Sequence, residues 1–452
     1  MAYEIKYRSD NEMKDSGIEW LGKIPKEWEV NKNKYNFYEI KKLSIDGSEL
    51  LLSVSEYYGV APRQDKIDST DFLTRADSLV GYKKCLPNDI VMNIMLAWKK
   101  SIGLSRWDGI VSPAYSVYRP LNRNISSYYT YLFRTDLYAS YFKSHSTGII
   151  DSRLRLYPEV FLALYSHQPS ISDQQKIANF LDIKTSEFDS IISKKEQLIE
   201  KLEAAKKSLI SEVVTGKVTI VDGKLVDRKP EEMKDSGVEW LGMIPKDWEI
   251  KRVKYIVDYI QTGGTPSTSN QEYFDGNINW FNPSDLNNEI LYNSERKITR
   301  KAIKLNQAKL FFSESILIVG IGATAGKTSY LKVESSFNQQ ITGMHSKINN
   351  NKYIYYAIKN ISLELLKLAN FTTLPILNNE FIKNIKLCLP NLEEQQKVVE
   401  FLNLELIQMD SIITKTKQQI SKLKEAKQSL ISEAVTGKID LRDWEIIETG
   451  GR

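Results

Sequence analysis

The chain says much of itself twice. Residues 13–30 read MKDSGIEWLGKIPKEWEV and residues 233–250 read MKDSGVEWLGMIPKDWEI, identical at fourteen of eighteen positions. Downstream, AKKSLISEVVTGK (205–217) returns as AKQSLISEAVTGK (426–438), identical at eleven of thirteen. The offsets are 220 and 221 residues, so the chain is a tandem duplication of one long unit. A period this long excludes a solenoid, whose units run about 20–50 residues. Between the anchors the copies scarcely resemble each other: the first holds strings such as GVAPRQ (59–64) and the second strings such as TGGTPS (262–267). A kept framework with a varied interior points to two modules on one scaffold, doing related work on different targets.

Each copy ends in a long stretch without Pro or Gly, 171–214 and 392–435. Ser172 with Gln175 forms a capping box at the first start, and Gly216 and Gly437 provide the left-handed stop. Leu181, Phe188, Ile191, Leu198, Leu202 and Leu209 make an imperfect heptad seam in the first arm. Leu402, Met409, Ile412, Leu423 and Leu430 do so in the second. A helix of about 44 residues spans roughly 65 Å, and its narrow apolar stripe needs a partner. The other arm is the nearest one, which predicts antiparallel pairing.

The organisation expected is a tail (1–12), a globular module (13–170), a helical region (171–215) and a linker (216–232). A second module (233–390), a second helical region (391–437) and a tail (438–452) follow. Apolar runs rich in β-branched and aromatic residues, such as 89–98, 110–119 and 315–323, alternate with turn signals, which predicts α/β modules. The fold class expected is thus two α/β modules separated by two long antiparallel coiled-coil helices, a tandem repeat with a pseudo-two-fold. The tail GKIDLRDWE (437–445) parallels GKVTIVDGK (216–224), which predicts that the two chain ends lie close together.

A net charge of +5 permits contact with a polyanion without requiring it. In the first module Arg63, Lys83, Lys84, Lys99, Lys100, Arg106, Arg153 and Arg155 are candidates for phosphates, and Tyr115 offers a flat surface. In the second, Thr265, Ser267, Lys327, Asn338, Gln339, Gln340, Thr372 and Thr373 supply donors and acceptors. Paired groups on Asn and Gln match adenine, and those on Arg match guanine. Cys85 and Cys388 are isolated, as are His145, His167 and His345, so no disulfide framework or metal site is expected. GIGATAGKT (320–328) misses the phosphate-loop spacing, because Ile321 stands where glycine is required. FNPSD (281–285) lacks the last two residues of an amino-methylating motif. No catalytic machinery is expected. No apolar stretch of eighteen residues occurs and the start lacks a signal-peptide core, so a cytoplasmic location is expected.

These strings together resemble the specificity subunits of type I restriction–modification systems, over nearly the whole chain. The doubled MKDSGIEWLGKIPKEWEV and KKSLISEVVTGKV look like framework signatures of that family. AW…GIVSPAY (97–115), TGGTPS, GATAGKT and SFNQQI (336–341) look like strings from its recognition domains, GATAGKT as a structural hairpin. The resemblance implies that each module reads half of a split site on double-stranded DNA and that the helices set the gap. It implies two methyltransferase subunits and restriction nuclease–translocase subunits as partners. S-adenosylmethionine, ATP and Mg²⁺ then belong to those partners, with no cofactor in this chain. The competing reading is a coiled-coil scaffold that binds protein only.

Overall fold

In the computed structural model, residues 5–65, 78–121, 125–287, 289–322, 324–368 and 376–445 are described. Five helices carry the argument: α1 (Ser126–Phe133), α2 (Asp136–Ser144), α3 (Ile171–Val214), α4 (Asn351–Leu368) and α5 (Leu392–Val435). The chain divides into two compact units, residues 1–196 with 418–452, and residues 197–417. Each unit therefore takes one globular module, one end of α3 and one end of α5.

In the first unit, four antiparallel strands align in the order Phe37–Glu39, Tyr115–Pro120, Ile90–Asn93, Ile102–Leu104. Beside them pack the hairpin Leu52–Ser55/Gly59–Pro62 and the pair Lys83–Cys85/Gly109–Val111. Tyr128, Tyr129, Phe133, Tyr138 and Phe142 of α1 and α2 are fully buried against Trp28, Phe37 and Phe161. Edge-to-face contacts such as Phe37–Tyr129 make this an aromatic core.

In the second unit, a mixed five-stranded sheet has Ile316–Val319 at its centre, and Thr328–Leu331 returns beside it. Gly322 and Gly326, both at positive φ, lie between those two strands. Its aliphatic core, including Ile316, Ile318, Ile354, Ile358 and Leu402, lies between the sheet, α4 and α5. The sheets of both units are mainly antiparallel.

The two long helices pair antiparallel in both units. Lys427 binds Asp189 at 2.7 Å and Lys195 donates to Gln419 at 2.7 Å in the first unit. Lys206 binds Asp410 at 2.5 Å in the second. Ser170 and Asn391 cap the helices, accepting from the N–H groups of Asp173 and Glu394. Ser172, expected as the first cap, thus lies inside α3.

The seam differs from the one expected. Ile191, Leu198 and Ile412 are 45%, 43% and 47% exposed. The covered row runs Leu181, Thr185, Phe188, Ile192, Lys195, Ile199, Leu202, Lys206, Leu209, with strict 4-3 steps. Its counterpart in α5 runs Leu402, Leu406, Met409, Ile413, Thr416, Ile420, Leu423, Lys427, Leu430. Each isoleucine doublet, 191/192 and 412/413, offers two registers, and only the second residue of each falls on the seam. Lysines at seam positions keep their stems in the groove and send their ammonium groups to polar atoms of the opposite helix.

Residues near the two chain ends, 6–8 and 438–440, pair inside the first unit. Tyr7 bridges Ile439, Arg8 N donates to Lys438 O at 2.9 Å, and Asp440 N to Lys6 O at 2.9 Å. In the second unit the corresponding pairing is one hairpin, Val218–Val221 with Lys224–Asp227.

Candidate nucleic-acid interface

The first module brings its candidate cations to the surface in unequal states. Lys83 donates to Tyr115 O at 2.7 Å and lies 3.7 Å from Glu39. Lys84 pairs with Glu49 at 2.5 Å, which holds that carboxyl down at about 2. Lys100 pairs with Asp136 at 2.7 Å. These three lysines, candidates for phosphates, are engaged within the module, so an incoming phosphate would have to displace an internal partner. Arg63, Lys99, Arg106, Arg153 and Arg155 make no ion pair among the described residues. Lys99 lies 5.1 Å over the Trp98 ring. Tyr115 is half-buried, and burial raises its hydroxyl pKa while the nearby Arg63 lowers it.

Two features here were not read from the sequence. Arg134 of the α1–α2 connection is largely buried and pairs with no carboxylate among the described residues. Its guanidinium donates to Glu56 O (2.7 Å), Ile102 O (2.8 Å), Lys100 O (3.3 Å) and Ser55 O (3.4 Å). Burial lowers its pKa. Five donors in a planar fork suit such a cluster of carbonyls. Arg134 thereby fixes the hairpin tip carrying Tyr57 and Tyr58, both exposed. The second feature is a surface loop, 147–155, presenting Ile149 and Ile150 to solvent. An isolated arginine and an isoleucine pair in a polar stretch give no periodic signal.

In the second module three loops converge. Gly263 packs so closely beneath the Phe337 ring that a Cβ would come within 2.6 Å of it. Trp280 Nε1 donates to Gly264 O at 2.9 Å, and Gly320 N donates to Gln340 O at 2.7 Å. TGGTPS, GATAGK and FNQQ, far apart in sequence, are thereby joined. At their surface Thr265 donates to Gln339, Ser267 contacts Ser269 at 2.8 Å, and Lys327 donates to Asn287 at 2.7 Å. Asn338, expected to face a ligand, is buried. Its amide spans the turn, donating to Gln340 Oε1 at 3.1 Å and accepting from Gln340 N at 3.0 Å. Gln339 is exposed. Thr372 and Thr373 lie outside the described residues.

Around both surfaces the framework is built alike. Tyr128 of α1 donates to Val435 O at 3.0 Å, and Tyr353 of α4 lies 3.2 Å from Val214 O. Gln174 and Gln395, both buried, each bond back to a proline carbonyl and accept from the N–H before a helix, Ile125 and Asn350. Tyr131 donates to Asp182 on α3 as Tyr356 donates to Asn403 on α5. Among the described residues no cluster of metal-binding side chains occurs, and no helix is long and apolar enough to cross a membrane.

Residues 245–424 match the family model described as the type I restriction modification DNA specificity domain. The type I restriction enzyme MjaIX specificity subunit of Methanocaldococcus jannaschii is 35% identical over 40% of this chain and 41% of its own length. The MjaVIII specificity subunit of that organism is 24% identical over 97% of this chain and 98% of its own length. The EcoR124I/EcoR124II specificity subunit of Escherichia coli is 31% identical over 31% of this chain and 37% of its own. Among solved structures, a chain from work on complex assembly and conformational transition of the type I R-M system superposes with a TM-score of 0.66. That match has 14% identity and covers 91% of this chain and 98% of that one. The HsdS subunit from Thermoanaerobacter tengcongensis gives 0.51 at 15% identity, over 92% and 98%. Residues 245–424 thus match the model of a type I restriction modification DNA specificity domain, and nearly the whole chain is similar in sequence to a type I specificity subunit and in fold to an HsdS subunit.

Proposed function

We propose that this chain selects the DNA sequence on which a type I restriction–modification complex acts. Each module reads one half of a split site, and the paired helices set the gap between halves. The observation that carries this reading is one framework bearing two unlike polar surfaces. The Tyr–carbonyl and Gln–proline contacts recur in both units, while the surface groups are cationic and aromatic in one and amide- and hydroxyl-rich in the other. Cations position a duplex through its phosphates, and amide pairs discriminate base edges.

The chain supplies recognition and no chemistry. Two methyltransferase subunits dock on the helical regions and carry S-adenosylmethionine, and nuclease–translocase subunits bring ATP and Mg²⁺. The test is to express the chain with its methyltransferase and sequence the modified DNA. A bipartite methylated motif is expected. Exchanging residues 59–165 for the matching segment of another specificity subunit changes one half of it only. No bipartite motif, or one unchanged by the exchange, overturns the proposal. A chain that shifts no duplex even at low salt, where phosphate contacts are strongest, is a protein-binding scaffold instead.

A further inference from the structure

Ile149 is 97% exposed and Ile150 53% exposed. They form the tip of a loop that is firmly built. Thr147 and Arg155 exchange both backbone hydrogen bonds, at 2.9 and 3.0 Å, and Arg153 N closes a turn onto Ile150 O at 2.8 Å. Gly148 packs so closely that a Cβ would stand 2.8 Å from the Arg153 carbonyl carbon. Leu154 and Leu156 bury themselves on either side of Arg155, and Leu156 N bonds Ile94 O at 2.8 Å. Lys143 of α2 holds Asp151 at 2.9 Å from outside. The loop is ordered by its backbone, with Ile149 almost wholly outside its packing and Ile150 about half outside it. They are displayed.

What surrounds the tip indicates what receives it. Arg153 and Arg155 follow the isoleucines on the same loop, both exposed and neither ion-paired among the described residues. The acidic residue of the loop, Asp151, is already matched by Lys143. An apolar tip on a loop that also carries two exposed guanidinium groups is complementary to a stack of bases edged by phosphates. A stable protein–protein interface buries roughly 800 Å² on each partner, far more than two side chains supply. Two branched aliphatic side chains suffice for a wedge at one base step, which unstacks the step and kinks the duplex.

We infer that Ile149 and Ile150 are a wedge inserted between base pairs of the half-site read by the first module, with Arg153 and Arg155 gripping the adjoining phosphates. This rests on the DNA-reading function proposed above. The wedge makes part of the recognition indirect, because flexible pyrimidine–purine steps open more readily than others.

The experiment uses the full chain with its methyltransferase and a duplex carrying the bipartite motif found by sequencing. A fluorescent base analogue is placed in turn at each step of either half-site. Binding should raise fluorescence at one step of the first module's half-site, and Ile149→Ala with Ile150→Ala should abolish that rise. Affinity should fall roughly tenfold per isoleucine, the equivalent of leaving one aliphatic side chain unburied. The salt dependence should stay unchanged, since no phosphate contact is lost, whereas Arg153→Ala should lower its slope by about one. Unaltered fluorescence and affinity in the double variant overturn the wedge. So does loss of the methyltransferase from that variant while its DNA contact persists, which makes the tip a protein contact. Absence of any bipartite motif overturns the proposed function itself, a separate result.

Discussion

Trp28 and Trp248 hold corresponding places in the two units and are equally buried, yet their indoles end differently. Trp248 Nε1 donates to Glu394 at 2.9 Å, and the same carboxylate takes Arg228 at 2.5 Å. In the first unit the counterpart of Glu394 is Asp173, one methylene shorter, and Trp28 Nε1 is buried with no hydrogen-bond partner among the described residues. Arg8, the counterpart of Arg228, turns to Glu27 at 2.5 Å. A second difference lies nearby: His167 in the first unit stands where the second has Cys388. The backbone that carries these groups is the same, so the framework is one design executed with two sets of polar detail. Variants placed at matching positions therefore separate what the framework requires from what each copy has made of it.

The strongest shared requirement is the glycine after each long helix. Gly216 (φ +69°) lies under Pro245 and Trp248, and Gly437 (φ +73°) under Pro25 and Trp28. A Cβ would come within 2.6 Å of Pro245 Cδ in one and 2.7 Å of Pro25 Cδ in the other. Positive φ and a proline ring both oppose it, so Gly216→Ala and Gly437→Ala should each cost about 3 kcal/mol or more in their own unit. Hydrogen exchange resolved by peptide measures this. If one substitution is tolerated and the other is not, the framework is not shared at this point.

Position 167 should break the symmetry by pH. The His167 backbone N–H donates to the Tyr138 hydroxyl, which lies 3.1 Å from Nδ1, and Nε2 is buried with no hydrogen-bond partner among the described residues. Burial holds its pKa down at about 4. The unfolded chain therefore takes up a proton below about 6.5 that the folded unit refuses. Stability is full above that pH and is lost as the pH falls toward 4, by about 3 kcal/mol. Cys388 stays neutral throughout this range, since burial pushes its thiol up to about 12. Acid should open the first unit in that window, His167→Cys should remove the effect, and Cys388→His should confer it on the second. Equal acid sensitivity of His167→Cys and the parent chain, followed by exchange, breaks the comparison.

The seam and these packed ends also show how far residues alone lead. The two helices, their stops and their antiparallel pairing follow from repeated, Gly- and Pro-free stretches. Register did not follow, because Ile191–Ile192 and Ile412–Ile413 satisfy a heptad either way and the true rows include lysines. Nor did the exchange of helix ends. Gly437, from the second copy, packs on Pro25 and Trp28 of the first, and Gly216 packs on Pro245 and Trp248. Near-identical segments specify that they meet, and only the fold decides which copy meets which. Of the candidate interface, the convergence of TGGTPS, GATAGK and FNQQ is written in close glycine contacts, whereas Arg134 and the Ile149 tip depend on burial, which sequence reports poorly for single residues.

The Glu394 site should be costly to remove. Glu394→Ala strands a buried indole N–H and half-frees Arg228, an expected loss of about 2–3 kcal/mol, since bonds to charged groups are the stronger kind. Asp173→Ala, which strands nothing further, should cost under about 1 kcal/mol. Urea unfolding followed by unit-specific exchange compares them. Equal losses mean that Trp28 is served by Asp173 after all.

The smallest effect asked for is a gain. Asp173 occupies the first turn of α3 as Glu394 does in α5, three residues after Ser170 and Asn391 respectively, and both caps hold. The backbone thus delivers either side chain from the same place, and one methylene decides whether the carboxylate reaches the indole. Asp173→Glu should therefore give Trp28 Nε1 its missing acceptor and stabilise the first unit by about 1 kcal/mol. Glutamate is also the better helix former, by a few tenths of a kcal/mol, so stability alone is ambiguous. The indole proton resonance of Trp28 decides: it should move downfield toward that of Trp248 and resist exchange. A gain without that shift comes from helix propensity, and the first unit then tolerates its unpaired indole for a reason other than side-chain length.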